Sequence, residues 1–143
     1  MLRVSRLADY ASVVMTCLAR QPREVLSAVQ IAEATRLELP TVSKLLKQLA
    51  HANLVESFRG AAGGYRLARQ PGQITLAEIV EALDGPIGLT ECTAGCEREP
   101  HCEVSHGWKY VGGAVDAALR AVSLADMLRP GSAKRTMRPR AGA

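Results

Sequence analysis

The sequence of 143 residues predicts a mainly α-helical fold with one small β-hairpin, a β wing. Three observations predict it. Apolar residues recur at helical spacing in several stretches, residues that cap helices stand at the start of these stretches, and one glycine-rich turn separates two short runs with strand character. The length is sufficient for one compact domain with an appendage.

The first predicted helix runs from about Leu7 to Arg20. Its apolar residues share one face, Ser5 can cap its start, and Pro22 follows its end. Cys17 lies in this helix among apolar neighbours, and we expect it to be a small core residue.

Two shorter helices are expected next, joined by a tight turn. Ser27 and Gln30 form a capping box for a helix through Thr35, and Pro40 occupies a first-turn position of a helix that ends near His51. This order is typical of a helix-turn-helix. The apolar face of the second helix leaves a polar and basic set pointing outward, where it suits a DNA major groove: Thr41, Ser43, Lys44, Lys47 and Gln48.

A hairpin with the features of a wing follows. Its predicted strands are Asn53–Phe58 and Tyr65–Arg69, and the turn between them is rich in glycine. Arg59 and Gly60 stand at the tip, where an arginine can enter a narrow minor groove, and Arg66 can reach phosphates. A helical hairpin with a purely structural role is the alternative.

The charge is unevenly distributed along the chain. The net charge is +4, but residues 1–70 carry ten Lys and Arg against five Asp and Glu, and residues 71–128 carry three against nine. The last segment, 129–143, has five basic residues and no acidic one. A basic front half is expected of a protein that contacts double-stranded DNA, although an ordinary solvated surface can have the same charge.

The second half contains two further predicted helices. Thr75 and Glu78 form a capping box for a helix through about Leu83, and a long helix is expected from about Ser105 to Leu128. The long helix is poor in large side chains and needs a partner, either its copy in a homodimer or its own domain. We therefore divide the chain into a winged helix-turn-helix domain (1–84), a cysteine loop (85–104), a long C-terminal dimerisation helix (105–129) and a disordered basic tail (130–143).

Three cysteines lie within eleven residues: Cys92, Cys96 and Cys102. Thiolate is the ligand that iron-sulfur clusters and zinc both favour, and a fourth ligand must come from elsewhere. Zinc with His106 as the fourth ligand, or bare redox thiols, are the alternatives to a cluster.

Other function classes are less compatible with the sequence. The sequence contains no apolar run of membrane-spanning length, no signal-peptide pattern, no phosphate-binding loop and no nucleophile with a base and an orienting group. We expect a cytoplasmic protein that is neither an enzyme nor a membrane protein and has no small-molecule substrate. A cluster carrier or electron-transfer protein would not need a basic helix and a wing.

Several segments together resemble the Rrf-two family of winged-helix transcription regulators, over about residues 1–129: Leu7–Ala11, Leu54–Leu67, Ile79–Leu83 and the three-cysteine loop. Within this family, Trp108 and Ala121–Asp126 resemble the subgroup that regulates SUF-type iron-sulfur assembly genes. The resemblance implies a homodimer whose cysteines hold an iron-sulfur cluster, 2Fe-2S or 4Fe-4S, that sets operator affinity. A nitric-oxide or redox-responsive repressor of the same family is the alternative.

The resemblance also implies a fourth ligand. IscR-type members use a histidine three residues after the last cysteine, where this chain has Ser105 and, one step along, His106. NsrR-type members use an acidic residue in the first helix of the partner subunit, and Asp9 matches that position. Asp9 is therefore the implied ligand, with His106 as its alternative.

Overall fold

The computed structural model describes residues 3–89 and 101–128. Its elements, in chain order, are α1 (Arg6–Ala19), α2 (Ala28–Thr35), α3 (Leu39–His51), β1 (Val55–Phe58), β2 (Gly64–Leu67), a 3-10 turn (Pro71–Gln73), α4 (Leu76–Asp84), α5 (Ser105–Arg120) and α6 (Leu124–Met127). The predicted helical fold with a two-stranded wing is confirmed. No helix in the described ranges combines the length and the apolar character that crossing a membrane requires.

Helix α1 lies at the centre of the core and contacts α2, α3, α4, α6 and β2. Its buried face consists of small and medium-sized apolar side chains, and α3 buries the four residues that the sequence predicted for its inner face: Val42, Leu45, Leu46 and Leu49. Burying an aliphatic side chain of this size contributes roughly 1.5–3 kcal/mol, so the contact between α1 and α3 fixes which side of α3 remains outside.

Two predicted capping boxes are formed. The Ser27 hydroxyl accepts from the Gln30 amide at 3.1 Å, and the Gln30 side chain accepts from the Ser27 amide at 2.9 Å. Thr75 and Glu78 make the same reciprocal pair at the start of α4, at 3.3 and 2.9 Å. Each box satisfies backbone donors that a helix start otherwise leaves unpaired.

The wing is an antiparallel hairpin in which Val55 pairs with Leu67 and Phe58 with Gly64. Leu26 extends it at the far edge of β2, because its amide and carbonyl bond with the carbonyl and amide of Tyr65 at 2.9 and 2.7 Å. A Cβ atom at position 64 would lie 2.3 Å from the Leu26 carbonyl oxygen, so this close approach requires glycine.

The prediction of one continuous helix from Ser105 to Leu128 was wrong in its extent. Helix α5 ends at Arg120, and the short helix α6 begins at Leu124. Ser123 and Asp126 form a third capping box, with the Ser123 hydroxyl accepting from the Asp126 amide at 3.2 Å and the Asp126 carboxylate accepting from the Ser123 amide at 2.9 Å. A helix start at this position ends the preceding helix.

Long-range hydrogen bonds fix the break between α5 and α6. The Leu76 amide donates to the Val122 carbonyl at 2.9 Å, and the Leu124 amide donates to the Ile74 carbonyl at 2.8 Å. The side chain of Leu124 is only 1% exposed and belongs to the main core. The last helix of the described ranges, α6, is therefore packed against the winged-helix domain.

Helix α5 leaves large apolar side chains in contact with solvent. Trp108 is 47% and Tyr110 81% exposed, and Ser105 is the buried residue of this helix. At its far end, Arg120 pairs with Glu81 of α4 and, at 2.8 Å, with Asp116. The hydrogen bond that Arg120 donates to Asp116, and the charge of both carboxylates, raise the pKa of Arg120. The end of α5 is thereby attached to α4.

We predict that Leu124→Ala destabilises the protein by about 2–5 kcal/mol, because it removes a fully buried side chain and leaves a cavity. Urea unfolding at one protein concentration measures this loss. Met127→Ala, in the same short helix but 45% exposed, is the matched control and should cost less than about 1 kcal/mol. Equal losses for the two variants would contradict the packing of α6 against the core.

Candidate nucleic-acid interface and metal site

The outer side of α3 presents the first part of the predicted DNA interface. Lys44 and Lys47 are exposed, whereas Thr41 and Ser43 are partly buried. Gln48 departs from the prediction, because it is partly buried and its amide oxygen is buried without a hydrogen-bond partner among the described residues. It follows that the two lysines, and not the whole predicted set, are fully open to a ligand.

The tip of the wing forms the second part of the predicted DNA interface. Arg59 is exposed, and within residues 3–89 and 101–128 no hydrogen bond or ion pair engages its side chain. Gly60 follows with a φ of 102°, a conformation that residues with a side chain rarely adopt. A Cβ atom at this position would have no other atom within 4 Å. The guanidinium therefore stands at the end of a rigid hairpin with its charge uncompensated.

The arginines of β2 and its end are held by carboxylates of the protein. Arg66 bonds to Glu56 at 3.0 Å across the hairpin, and its guanidinium carbon lies 4.9 Å from the centroid of the Phe58 ring. Arg69 bonds to Glu78 at 2.8 Å. The sequence did not predict these pairs. The predicted contact of Arg66 with a phosphate therefore has to use donors that Glu56 leaves free.

Glu78 is held in its charged form. Burial raises the pKa of its carboxyl. Hydrogen bonds from Thr75 and Arg69, and the charge of Arg69, lower the pKa by more than burial raises it, so the pKa lies below its ordinary value. The charged carboxylate caps α4 and holds Arg69 at the same time.

Of the predicted metal ligands, the structure describes Cys102, His106 and Asp9. Cys92 and Cys96 fall outside the described residues, and Cys102 is a partly buried free thiol just before α5. Ser105 donates its hydroxyl to the Cys102 carbonyl at 3.1 Å, and His106 is exposed beside it. In the described ranges, no three acidic, histidine or cysteine side chains come close enough together to hold a metal ion.

Asp9 is exposed on the outer side of α1, in a groove between α1, α4 and α6. Neither Cys102 nor His106 lines this groove. The Asp9 carboxylate has no hydrogen-bond partner or counter-ion among the described residues, whereas Asp84, at the same groove, accepts from the Ser5 hydroxyl at 2.6 Å. The side chain of Asp9 is thus left without a partner by the rest of the described chain.

Cys17 is the other free thiol of the described chain; it lies on α1 and is far from the cysteine loop in the sequence. It is partly buried, and desolvation raises the pKa of its thiol despite the opposing charge of Arg20. A thiol with a raised pKa is a poor nucleophile and metal ligand at neutral pH.

Comparisons with known proteins agree with this architecture. The model of the Rrf2 family, described as an iron-dependent transcriptional regulator, matches residues 4–130. The transcriptional regulator NsrR of Shouchella clausii is 31% identical over 108 residues, which are 72% of each chain. Among solved structures, CymR, the global cysteine regulator of B. subtilis, matches with a TM-score of 0.72 and 31% identity, over 89% of this chain and 96% of that one. The structure of T. potens IscR matches with a TM-score of 0.71 and 30% identity, over 97% and 93%.

These relatives are transcription regulators and not enzymes. The family match covers most of the chain, including both predicted parts of the DNA interface. The chain belongs to the Rrf2 family of winged-helix transcription regulators.

Proposed function

We propose that this regulator reads a DNA operator as a homodimer and that an iron-sulfur cluster on its cysteine loop sets its affinity for that operator. The observation that carries the proposal is the presence, in one chain, of an uncompensated basic surface on α3 and the wing and of three thiols clustered in the sequence before α5. Cys92, Cys96 and Cys102 are the proposed cluster ligands.

The DNA surface consists of Lys44 and Lys47 on α3 and Arg59 at the wing tip, with Thr41, Ser43, Gln48, Gly60 and Arg66 beside them. A recognition helix fits a major groove, and an arginine at a wing tip fits a minor groove with a strongly negative potential. Because such a regulator works where DNA lies, we place it in the cytoplasm.

The exposed apolar side chains of α5 support a homodimer. Trp108 and Val111 are 47% and 40% exposed in the single chain. They lie three residues apart and so share one face of α5, which a second copy of α5 would cover. Two-fold symmetry then presents two recognition helices to a pseudo-palindromic operator, whose half-sites lie about one helical turn, roughly 34–36 Å, apart.

The available donors fit an iron-sulfur cluster shared between subunits. Cys102 supplies a thiol at one end of the cysteine loop, and Asp9 supplies a carboxylate in a groove that Cys102 does not reach within the described chain. The partner's Asp9 can complete the ligand set, and a carboxylate is a more weakly held ligand than a thiolate. Such a cluster would supply a redox-sensitive, removable link between the subunits.

We further propose which genes the protein regulates and which signal it senses. The proposed targets are SUF-type iron-sulfur assembly genes, because the chain resembles their regulators at Trp108 and Ala121–Asp126. The structural likeness to CymR, a cysteine regulator, favours a second candidate in which the thiols act without a cluster. Two rival hypotheses are a nitric-oxide or redox input to the same cluster, and a zinc ion held with His106 in place of the cluster.

We predict that protein purified without oxygen is brown and contains iron and acid-labile sulfide, and that Asp9→Ala loses this absorption faster than the wild type. The ultraviolet-visible spectrum, followed over time, measures both. Cys17→Ala is the control and should retain the wild-type spectrum, because Cys17 is far from the cysteine loop in the sequence. A colourless protein with one zinc per chain after cluster reconstitution would rule out the cluster, and a faster loss in His106→Ala than in Asp9→Ala would move the ligand to His106.

We also predict that Arg59→Ala weakens operator binding, and that Lys44→Ala and Lys47→Ala each reduce the slope of log affinity against log salt concentration by about one. A salt series of gel shifts on one operator measures these effects. Arg20→Ala, a change at an exposed residue beyond the end of α1, should leave the slope unchanged. Wild-type binding by all three interface variants would refute this docking surface.

A further inference from the structure

A cleft of about 360 Å³ lies between β2 and the turn that joins α1 to α2. Three arginines line it: Arg23, Arg66 and Arg69. Gln70 and Gln73 also line it, and no acidic residue of the described ranges does. A concave surface with three arginines and no acidic residue is suited to an oxyanion.

Arg23 is held in place by the backbone. The Glu24 amide donates to the Gln21 carbonyl at 3.0 Å, which closes a turn with Pro22 and Arg23 as its central residues. The ring of Pro22 fixes the backbone at the first of these positions. The Arg23 side chain is exposed, and in the described structure it has no hydrogen bond or ion pair. Its charge is therefore free for a ligand.

Arg66 and Arg69 are oriented from outside the cleft. Their carboxylate partners, Glu56 at 3.0 Å and Glu78 at 2.8 Å, do not line it. Each guanidinium has five N–H donors, of which the protein uses one in Arg66 and two in Arg69. The carboxylates thus fix the position of the two arginines, and each guanidinium keeps donors that the described residues do not use.

We propose that this cleft binds a phosphate of the operator backbone beside the wing. The minor groove is about 6 Å wide, so a hairpin whose tip enters it has a phosphate strand along each side. Leu26 and the turn that carries Arg23 form the edge of this hairpin beyond β2. A planar guanidinium matches a phosphate in bidentate geometry, and such a contact adds affinity without reading sequence.

This contact rests on the proposed docking through α3 and the wing. The experiment therefore distinguishes failure of the cleft contact from failure of the docking surface. Arg23→Gln removes one charge without breaking a hydrogen bond or ion pair of the described structure. We expect the salt slope to fall by about one, and the affinity at a fixed salt concentration to fall by the same factor on the operator and on a duplex of scrambled sequence. The matched control is Arg20→Gln, three residues away, exposed and outside the cleft, which should keep the wild-type slope.

An unchanged slope in Arg23→Gln, or an equal fall in Arg20→Gln, would overturn the cleft contact. If Arg59→Ala and Lys44→Ala still weaken binding in the same series, the docking surface stands and only the cleft fails. If neither of these two variants matters, the docking itself fails.

A second experiment, with inorganic phosphate, tests whether the cleft binds the DNA backbone or a free anion. Added to the protein without DNA, it should raise the melting temperature of the wild type no more than that of Arg23→Gln, because one phosphate group without the rest of the interface binds weakly. A larger rise in the wild type, together with an unchanged salt slope in Arg23→Gln, would assign the cleft to a free anion and refute the contact with the DNA backbone.

Discussion

The buried face of α1 is the constraint on which the rest of the structure depends. Ala8 and Ala11 allow neighbouring helices to approach closely, while Val14, Met15 and Leu18 fill the space between α2, α3, α4 and α6. Because α3 buries its apolar face in this core, its lysines must point outward. The exposed side of α1 carries Asp9, whose carboxylate is proposed to bind the partner's cluster. One helix thus supports the DNA surface and the proposed ligand.

Helix α4 connects this central helix to α5. Its last residue, Asp84, accepts from the Ser5 hydroxyl that caps α1, and Glu81 pairs with Arg120 at the end of α5. A cluster that joined the loop before α5 to the partner's α1 would therefore act on two helices that α4 already connects within each chain. Coupling between two sites of a regulator is typically 1–3 kcal/mol, a range that a change in the spacing of two winged helices can supply.

Local signals predicted most of the fold. Ser27 with Gln30, and Thr75 with Glu78, placed helix starts that the structure shows. The break before α6 was missed because helical spacing of apolar residues continues through it, although Ser123 with Asp126 is a local capping signal of the same kind. The hydrogen bonds that also fix the break reach back to Ile74 and Leu76. The pairing of Arg66 with Glu56 follows from the strand register, which composition does not contain. The proposed approach of the partner's Asp9 to the thiols is a contact between subunits, which the periodicity of one chain does not contain.

In the proposed function, the cluster changes how tightly two winged helices bind one operator. This change can be measured as the difference in operator affinity between the cluster-loaded and the cluster-free protein, without oxygen and at one salt concentration. We expect at least about 5-fold tighter binding by the loaded form, the lower end of ordinary coupling energies, and the cluster-free affinity for Cys102→Ala in both preparations. Equal affinities of the loaded and cluster-free wild-type protein would show that the cluster does not control operator binding.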